Sequence, residues 1–206
     1  ATRIVTRLLK NWCASRYNKE MAQKTSYKGK LLIAMPGMGD DRFSKSVIFL
    51  CSDDEEGAMG LVLNQTLEST ESKMLLDHLD IDIDPKVNIQ VHKGGPVERS
   101  RGFLLHSMDY IKGDTVPVVA GFCVTGTIDA LRDAALGQGP ENMIFALGYA
   151  GWTPGQLESE LQQNSWLIAD AKPETIFNTP HEKLWEAALS DMGIDPIMLS
   201  GTAGHA

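Results

Sequence analysis

Short apolar runs recur along this chain, and none is long. "KLLIAM" (30–35), "SVIFLCS" (46–52), "AMGLVLN" (58–64), "GFLLH" (102–106), "NMIFALGYA" (142–150) and "WLIAD" (166–170) each have the length of a strand. No run approaches the roughly 20 apolar residues that a bilayer crossing needs. Turn-forming stretches such as "PGMGDD" and "DDEEG" stand between them. The second of these joins two runs directly, which predicts a hairpin over 46–64. "VNIQV" (87–91) alternates Val87, Ile89 and Val91 on one face. "TVPVVAGFCVTG" (115–126) reads as a strand in which Pro117 demands a sheet edge or a first position.

Helix signals are interleaved with these strands. "TESKMLLDHL" (70–79) fits a helix capped by Thr70, with Met74, Leu75 and Leu79 turned inward. "TIDALRDAAL" (127–136) fits another, capped at Thr127 or Thr125 and ended by Gly137. "TPGQLESELQQ" and "TPHEKLWEAALSDMG" repeat one scheme. Thr153 or Thr179 caps, Pro154 or Pro180 takes the first helical position, and Gln156 or Glu182 follows three after the cap. The threonine oxygen accepts from an orphan backbone N–H while the longer side chain reaches back to the cap. Gly193 closes the second helix. Strands and helices mix without a regular βαβ rhythm, so the expected class is α+β with a mixed sheet. No linker or repeat interrupts residues 29–206, which are expected to form one domain.

Charge divides the chain. Residues 1–28 hold seven Lys/Arg and one acid, Glu20, a net of +6; the whole chain is −8, which leaves −14 for residues 29–206. So acidic a body repels phosphate backbones and is a poor nucleic-acid binder. In residues 1–20, Ile4, Val5, Leu8, Leu9 and Trp12 fall on one helical face, a pattern that can lie on a membrane surface or serve in targeting. The simpler reading, which we adopt, is an appendage outside the domain, upstream of a start at Met21. The three cysteines, Cys13, Cys51 and Cys123, are scattered and form no CxxC pair, which fits a reduced, cytoplasmic setting.

One segment invites a chemical reading: "HKGGPVERSRGFLLHS" (92–107). A phosphate loop needs several free backbone N–H groups, usually feeding a helix. Here Pro96 removes one and a strand follows, so Gly94, Gly95 and Pro96 read first as a turn. Arg99 and Arg101 stand beside it and could hold an anion. If Lys93 pairs with Gly102 in a hairpin, His106 stands opposite Ile89, about 10 Å along the strand from His92. Two ligands about 2 Å from one zinc cannot be that far apart. No metal site and no cofactor is expected. GxSxG and HExxH are absent, and Cys51 and Cys123 lie in apolar runs where a thiol is a small buried residue. "GYAGWTPGQLESEL" (148–161) places Trp152 among Gly148, Gly151 and Gly155; it reads as helix–strand packing, with a ligand groove as the alternative.

Taken together, "LLIAMPGMGDDRFSKSVIFLC", "GAMGLVLN", "GGPVERSRGFLLH", "LGYAGWTPGQLESELQQNSWL", "IFNTPHEKLWEAAL" and the terminal "GHA" resemble the YqgE/AlgH family of bacterial proteins, in order over residues 29–206. The resemblance implies one α+β domain whose mixed, bifurcated sheet forms a pseudo-barrel with helices packed outside. It implies a bacterial cytoplasmic protein without an established enzymatic activity or catalytic residues. One member takes its name from an association with the regulation of alginate synthesis, so the resemblance also implies a regulatory role, transcriptional regulation included. The family often carries Cys-Glu-His-Asn where Cys51-Ser52-Asp53-Asp54 stands here, which removes that histidine from any role. Two functions are therefore expected in order: a non-enzymatic protein that binds an unidentified protein partner, and alternatively a small-ligand or anion binder, with or without an enzymatic step, at Gly94, Gly95, Pro96, Arg101 and His106.

Overall fold

In the computed structural model, residues 26–85 and 87–199 are described. The basic stretch at residues 1–20, with its membrane-surface and appendage readings, lies outside them. Among the described residues, nine strands form one sheet: β1 (Lys30–Ala34), β2 (Val47–Asp54), β3 (Gly57–Val62), β4 (Val91–Lys93), β5 (Val97–His106), β6 (Val116–Val119), β7 (Phe122–Thr125), β8 (Met143–Trp152) and β9 (Trp166–Asp170). The spatial order is β6-β7-β5-β8-β3-β2-β1-β9, and β4 pairs with β8 off this path. β4 runs parallel to β8, while the pairs along the main path are antiparallel. The sheet curls strongly into a half-barrel with helices alongside, the α+β, forked architecture expected of the sequence.

The helices are α1 (Ser69–His78), α2 (Ile128–Ala135), α3 (Gln156–Gln162), α4 (Pro173–Asn178), α5 (Leu184–Asp191) and α6 (Pro196–Leu199). Strand alternation sends neighbouring residues into different cores. Leu31, Ile33, Val47 and Phe49 pack with Ile176 of α4 and Trp185 and Leu189 of α5. Leu32, Ile48 and Leu50 pack on the other face with Leu157 of α3, Trp152 and Trp166. Both faces of β1 and β2 are therefore covered, which is why these runs are continuously apolar. Trp185 also donates its indole N–H to the Ala34 carbonyl at 2.9 Å, tying α5 to the end of β1.

Local details differ from the expectations. α1 is capped by Glu68, not Thr70, and Glu71 accepts from the Glu68 N–H at 3.3 Å. Its inward stripe is Ser72, Leu75, Leu76 and Leu79 at helical spacing; Met74 lies off that stripe and is exposed. α3 starts at Gln156, because Gly155 (φ 80°) interrupts the helix after Pro154. The reach-back survives as a turn in which the Gln156 Oε1 accepts from the Thr153 N–H at 3.1 Å. α5 is preceded by a short 3-10 turn, His181–Lys183. Residues 115–126 form two strands, β6 and β7, with Pro117 on the edge strand as its missing N–H requires.

Candidate functional site

The sheet forks at β8. One edge of β8 carries β4, with Val91, His92 and Lys93 opposite Phe145, Ala146 and Leu147. The other carries β5, with Gly102 through His106 opposite Leu147 back to Met143. Further along, Ala150–Trp152 pair with β3. After Gly60, β3 leaves β8 and the chain follows the β4 segment instead: Val62 N–H donates to Gly94 O at 2.9 Å, and Lys93 N–H to Gln65 O at 2.7 Å.

The hairpin between Lys93 and Gly102 does not form. Both residues face Leu147, from opposite edges of β8, so a whole strand separates them. "GGP" is therefore a crossing and not a hairpin turn: the chain passes over β8 from one edge to the other. Backbone meets backbone there. A Cβ on Gly94 would sit 2.3 Å from Gly148 O, and one on Gly95 would sit 2.0 Å from the Tyr149 carbonyl carbon. Gly148 is equally constrained, its own Cβ falling 2.6 Å from Gly95 O. Only residues without a side chain permit this approach.

A cleft of about 410 Å³ opens beside the crossing. Val62, Leu67, Leu147, Phe43 and Pro96 give it apolar walls, and Gln65 adds an amide. Arg42, Lys93 and Arg99 give it positive charge, and no carboxylate lines it among the described residues. Each cation is placed by local structure. β4 buries Val91 and His92 and leaves Lys93, its last residue, exposed. The β5 register breaks between Val97 and Gly102, and Arg99 stands on that irregular segment. Arg42 sits in the short 3-10 turn Asp41–Phe43, held by a fork to Asp40 (Nε to Oδ1 2.9 Å, Nη2 to Oδ2 2.6 Å). That fork holds the Asp40 carboxyl below its usual range. Gln65 donates to Arg42 O at 2.8 Å and to Ser46 Oγ at 2.9 Å, pinning the loop to the sheet. Lys93 and Arg99 form no ion pair among the described residues.

Of the residues expected at a site, Gly95 and Pro96 line the cleft, and Gly94 belongs to the crossing beside it without lining it. Arg101 does not reach it. It pairs with Glu98 at 3.1 Å and lies over the Phe103 ring at 5.1 Å, facing a separate groove. His106 is fully buried. Its Nδ1 donates to Ser107 O at 2.8 Å, so its Nε2, 2.9 Å from Thr125 Oγ1, accepts the threonine proton. Burial pushes its pKa down. Among the described residues, no group of three or more His, Cys, Asp or Glu is placed to hold a metal. The Cys51 thiol is pushed up to about 12 by burial, which keeps it protonated. Arg42, Phe43, Gln65 and Lys93 are the cleft residues that sequence reasoning missed. Periodicity gave no signal for Lys93, since alternation places it in phase with the buried Val91 and its exposure comes from ending the strand.

His92 yields a pH prediction. It is buried, donates from Nδ1 to Leu63 O at 2.6 Å and meets His181 edge-on at 6.0 Å between ring centres. Desolvation lowers its pKa from 6.5 to about 4. Below 6.5 the unfolded chain takes up a proton that the folded chain refuses until about pH 4. Stability is therefore complete above pH 6.5 and falls by about 3 kcal/mol as the pH drops to 4. His92→Gln, which can still donate to Leu63 O but does not titrate, should remove that share of the slope in urea unfolding at pH 7 and pH 4.5. An unchanged slope would count against a neutral, buried His92.

The AlgH-like family model matches residues 31–197. The chain belongs to the AlgH-like family. A family member from Ruegeria pomeroyi, a UPF0301 protein, is 51% identical over 181 residues, covering 86% of this chain and 98% of the relative. One from Cereibacter sphaeroides is 49% identical over 180 residues, with the same coverage. Among solved structures, the solution structure of AlgH from Pseudomonas aeruginosa superposes with a TM-score of 0.69 at 38% identity, covering 90% of this chain and 98% of that one. A crystal structure of a Corynebacterium diphtheriae protein matches at a TM-score of 0.63 and 19% identity, a likeness of fold alone. Where other AlgH-like chains were expected to carry Cys-Glu-His-Asn, Asp53 of this chain is buried and accepts from the Tyr27 N–H at 2.7 Å.

Proposed function

We propose that this AlgH-like protein binds a small anion, with Lys93 and Arg99 as the contacts, in the cleft beside the crossing. The observation that carries the reading is the pairing of apolar walls with two cations that form no ion pair among the described residues, on a body whose net charge is −14 over residues 29–206. A positive cleft in an acidic surface focuses the field where a small anion can enter and an extended polyanion is repelled. This ranks ligand binding ahead of a macromolecular partner. Residues 29–206 act in this reading as one cytoplasmic domain, and any regulatory output follows from whether the cleft is filled.

The test is a thermal-shift series with inorganic phosphate, pyrophosphate and citrate on the full chain. A ligand that binds only the native state raises the melting temperature as its concentration passes Kd, worth about 2.7 kcal/mol at 100 Kd. The double variant Lys93→Ala, Arg99→Ala is expected to lose this shift while melting as wild type without ligand, since both side chains are exposed. Flat melting curves for the wild type with all three anions would sink the proposal. One observation favours a second reading as a partner-binding protein: Met108, Val116 and Val119 are exposed along and beside the edge strand β6. Crosslinking through cysteines placed on β6 would report such a partner, and its absence in repeated captures would remove this reading.

A further inference from the structure

The cleft does not end at Phe43. A second compartment of about 260 Å³ continues from it, and Arg42, Phe43 and Pro96 line both. Its chemistry is the reverse of the first. Asp40 and Glu160 bring carboxylates, Gln156 an amide and Ser165 a hydroxyl. Arg42, the one cation lining it among the described residues, is already matched by Asp40. Glu160 Oε2 accepts from the indoles of Trp152 and Trp166, both at 2.8 Å, while Oε1 accepts from Gln156 alone at 2.9 Å, which leaves Oε1 a lone pair to spare. The Ser165 hydroxyl has no side-chain hydrogen bond among the described residues, where Ser165 bonds through its backbone. Such a compartment takes hydrogen-bond donors and repels anions.

Resting on the anion-binding reading, we infer that the two compartments form one groove for a phosphate monoester that ends in an amino-bearing ring, the class of the amino-substituted nucleoside monophosphates. The phosphate lies between Lys93 and Arg99. The ring passes the apolar gate of Phe43 and Pro96. Its exocyclic amino group donates to Glu160 Oε1 or Ser165 Oγ. A ligand turned end for end meets carboxylates with its phosphate, so the groove has one polarity.

Calorimetric titration of the full chain with AMP, CMP, IMP, UMP, ribose 5-phosphate and inorganic phosphate tests this. AMP and CMP are expected to bind about tenfold or more tighter than IMP, UMP and ribose 5-phosphate, a difference of about 1.4 kcal/mol. Gly39→Leu reaches into the second compartment from a lining position where an added Cβ meets nothing within 4 Å. It should bring AMP down to the affinity of ribose 5-phosphate and leave ribose 5-phosphate unchanged. Equal affinities for all the phosphates, or AMP binding that is untouched by Gly39→Leu, would overturn the inference and leave the anion site standing. Failure of every phosphate to bind would remove this inference, and flat melting curves with citrate as well would remove the anion reading.

Discussion

Gly95→Ala is expected to leave no stably folded protein. The added methyl would stand 2.0 Å from the Tyr149 carbonyl carbon and 2.3 Å from Ala150 N, and these are backbone atoms of the central strand β8. No rotamer relieves the overlap, because a Cβ has none. The crossing must lift off β8 or β8 must bend, and either breaks the pairing on which the fork depends. Substitutions that force backbone apart belong to the class that costs more than about 4 kcal/mol, against the 5–15 kcal/mol that holds a typical domain together. Soluble yield and a circular-dichroism melt read the result. Gly37→Ala is the matched control, since a Cβ there meets nothing within 4 Å; it should stay within about 0.5 kcal/mol of wild type. A Gly95→Ala protein that melts like wild type would mean that the chain does not cross β8 as described.

Glu160→Ala is expected to cost about 3 kcal/mol. The two indoles it serves are nearly buried, with Trp152 at 6% and Trp166 at 4% exposure, and they pack edge to face at 6.1 Å. One carboxylate oxygen accepts from both. Removing it strands two buried donors, each costing about 1–3 kcal/mol. Glu160→Gln keeps an oxygen that can accept and should cost about half as much. Urea unfolding followed by tryptophan fluorescence measures both variants. A Glu160→Ala protein within about 0.5 kcal/mol of wild type would show that the indoles find other acceptors.

Much of this architecture is legible in the residues. The continuous apolar character of "KLLIAM" and "SVIFLCS" follows from strands covered on both faces, and Pro117 marks an edge because it lacks the N–H a central strand needs. What stayed hidden depends on distant partners. "GGP" satisfies local turn chemistry, so nothing near it announces that Gly148, far along the chain, must share the same point in space. β4 and β5 read as a hairpin because they are close in sequence; that β8 inserts between them is a fact of the sheet, not of either strand. The site shows the same limit. Gly95, Pro96 and Arg99 were visible as a glycine-rich, basic neighbourhood. Arg42, Phe43 and Gln65 come from loops whose positions are set by hydrogen bonds such as Gln65 to Arg42 O. Arg101 and His106 share the segment yet face elsewhere, since two residues along an irregular strand can separate a cleft from its opposite side. α4 was missed because Pro173–Asn178 is too short to show a helical period.

The crossing also imposes an order of assembly. β4 and β5 leave the ribosome almost together, yet β8, the strand that lies between them, follows only after β7. Their shared template is synthesised last of the three. Contacts of this sequence separation carry a loop-closure cost before they return anything, which slows folding. Until Trp152 has emerged, the β8-facing edges of β4 and β5 stay unpaired, although β7 can already cover the other edge of β5, and the chain is most exposed to mispairing. The three glycines that make the crossing possible thus also decide when in its synthesis the chain can close.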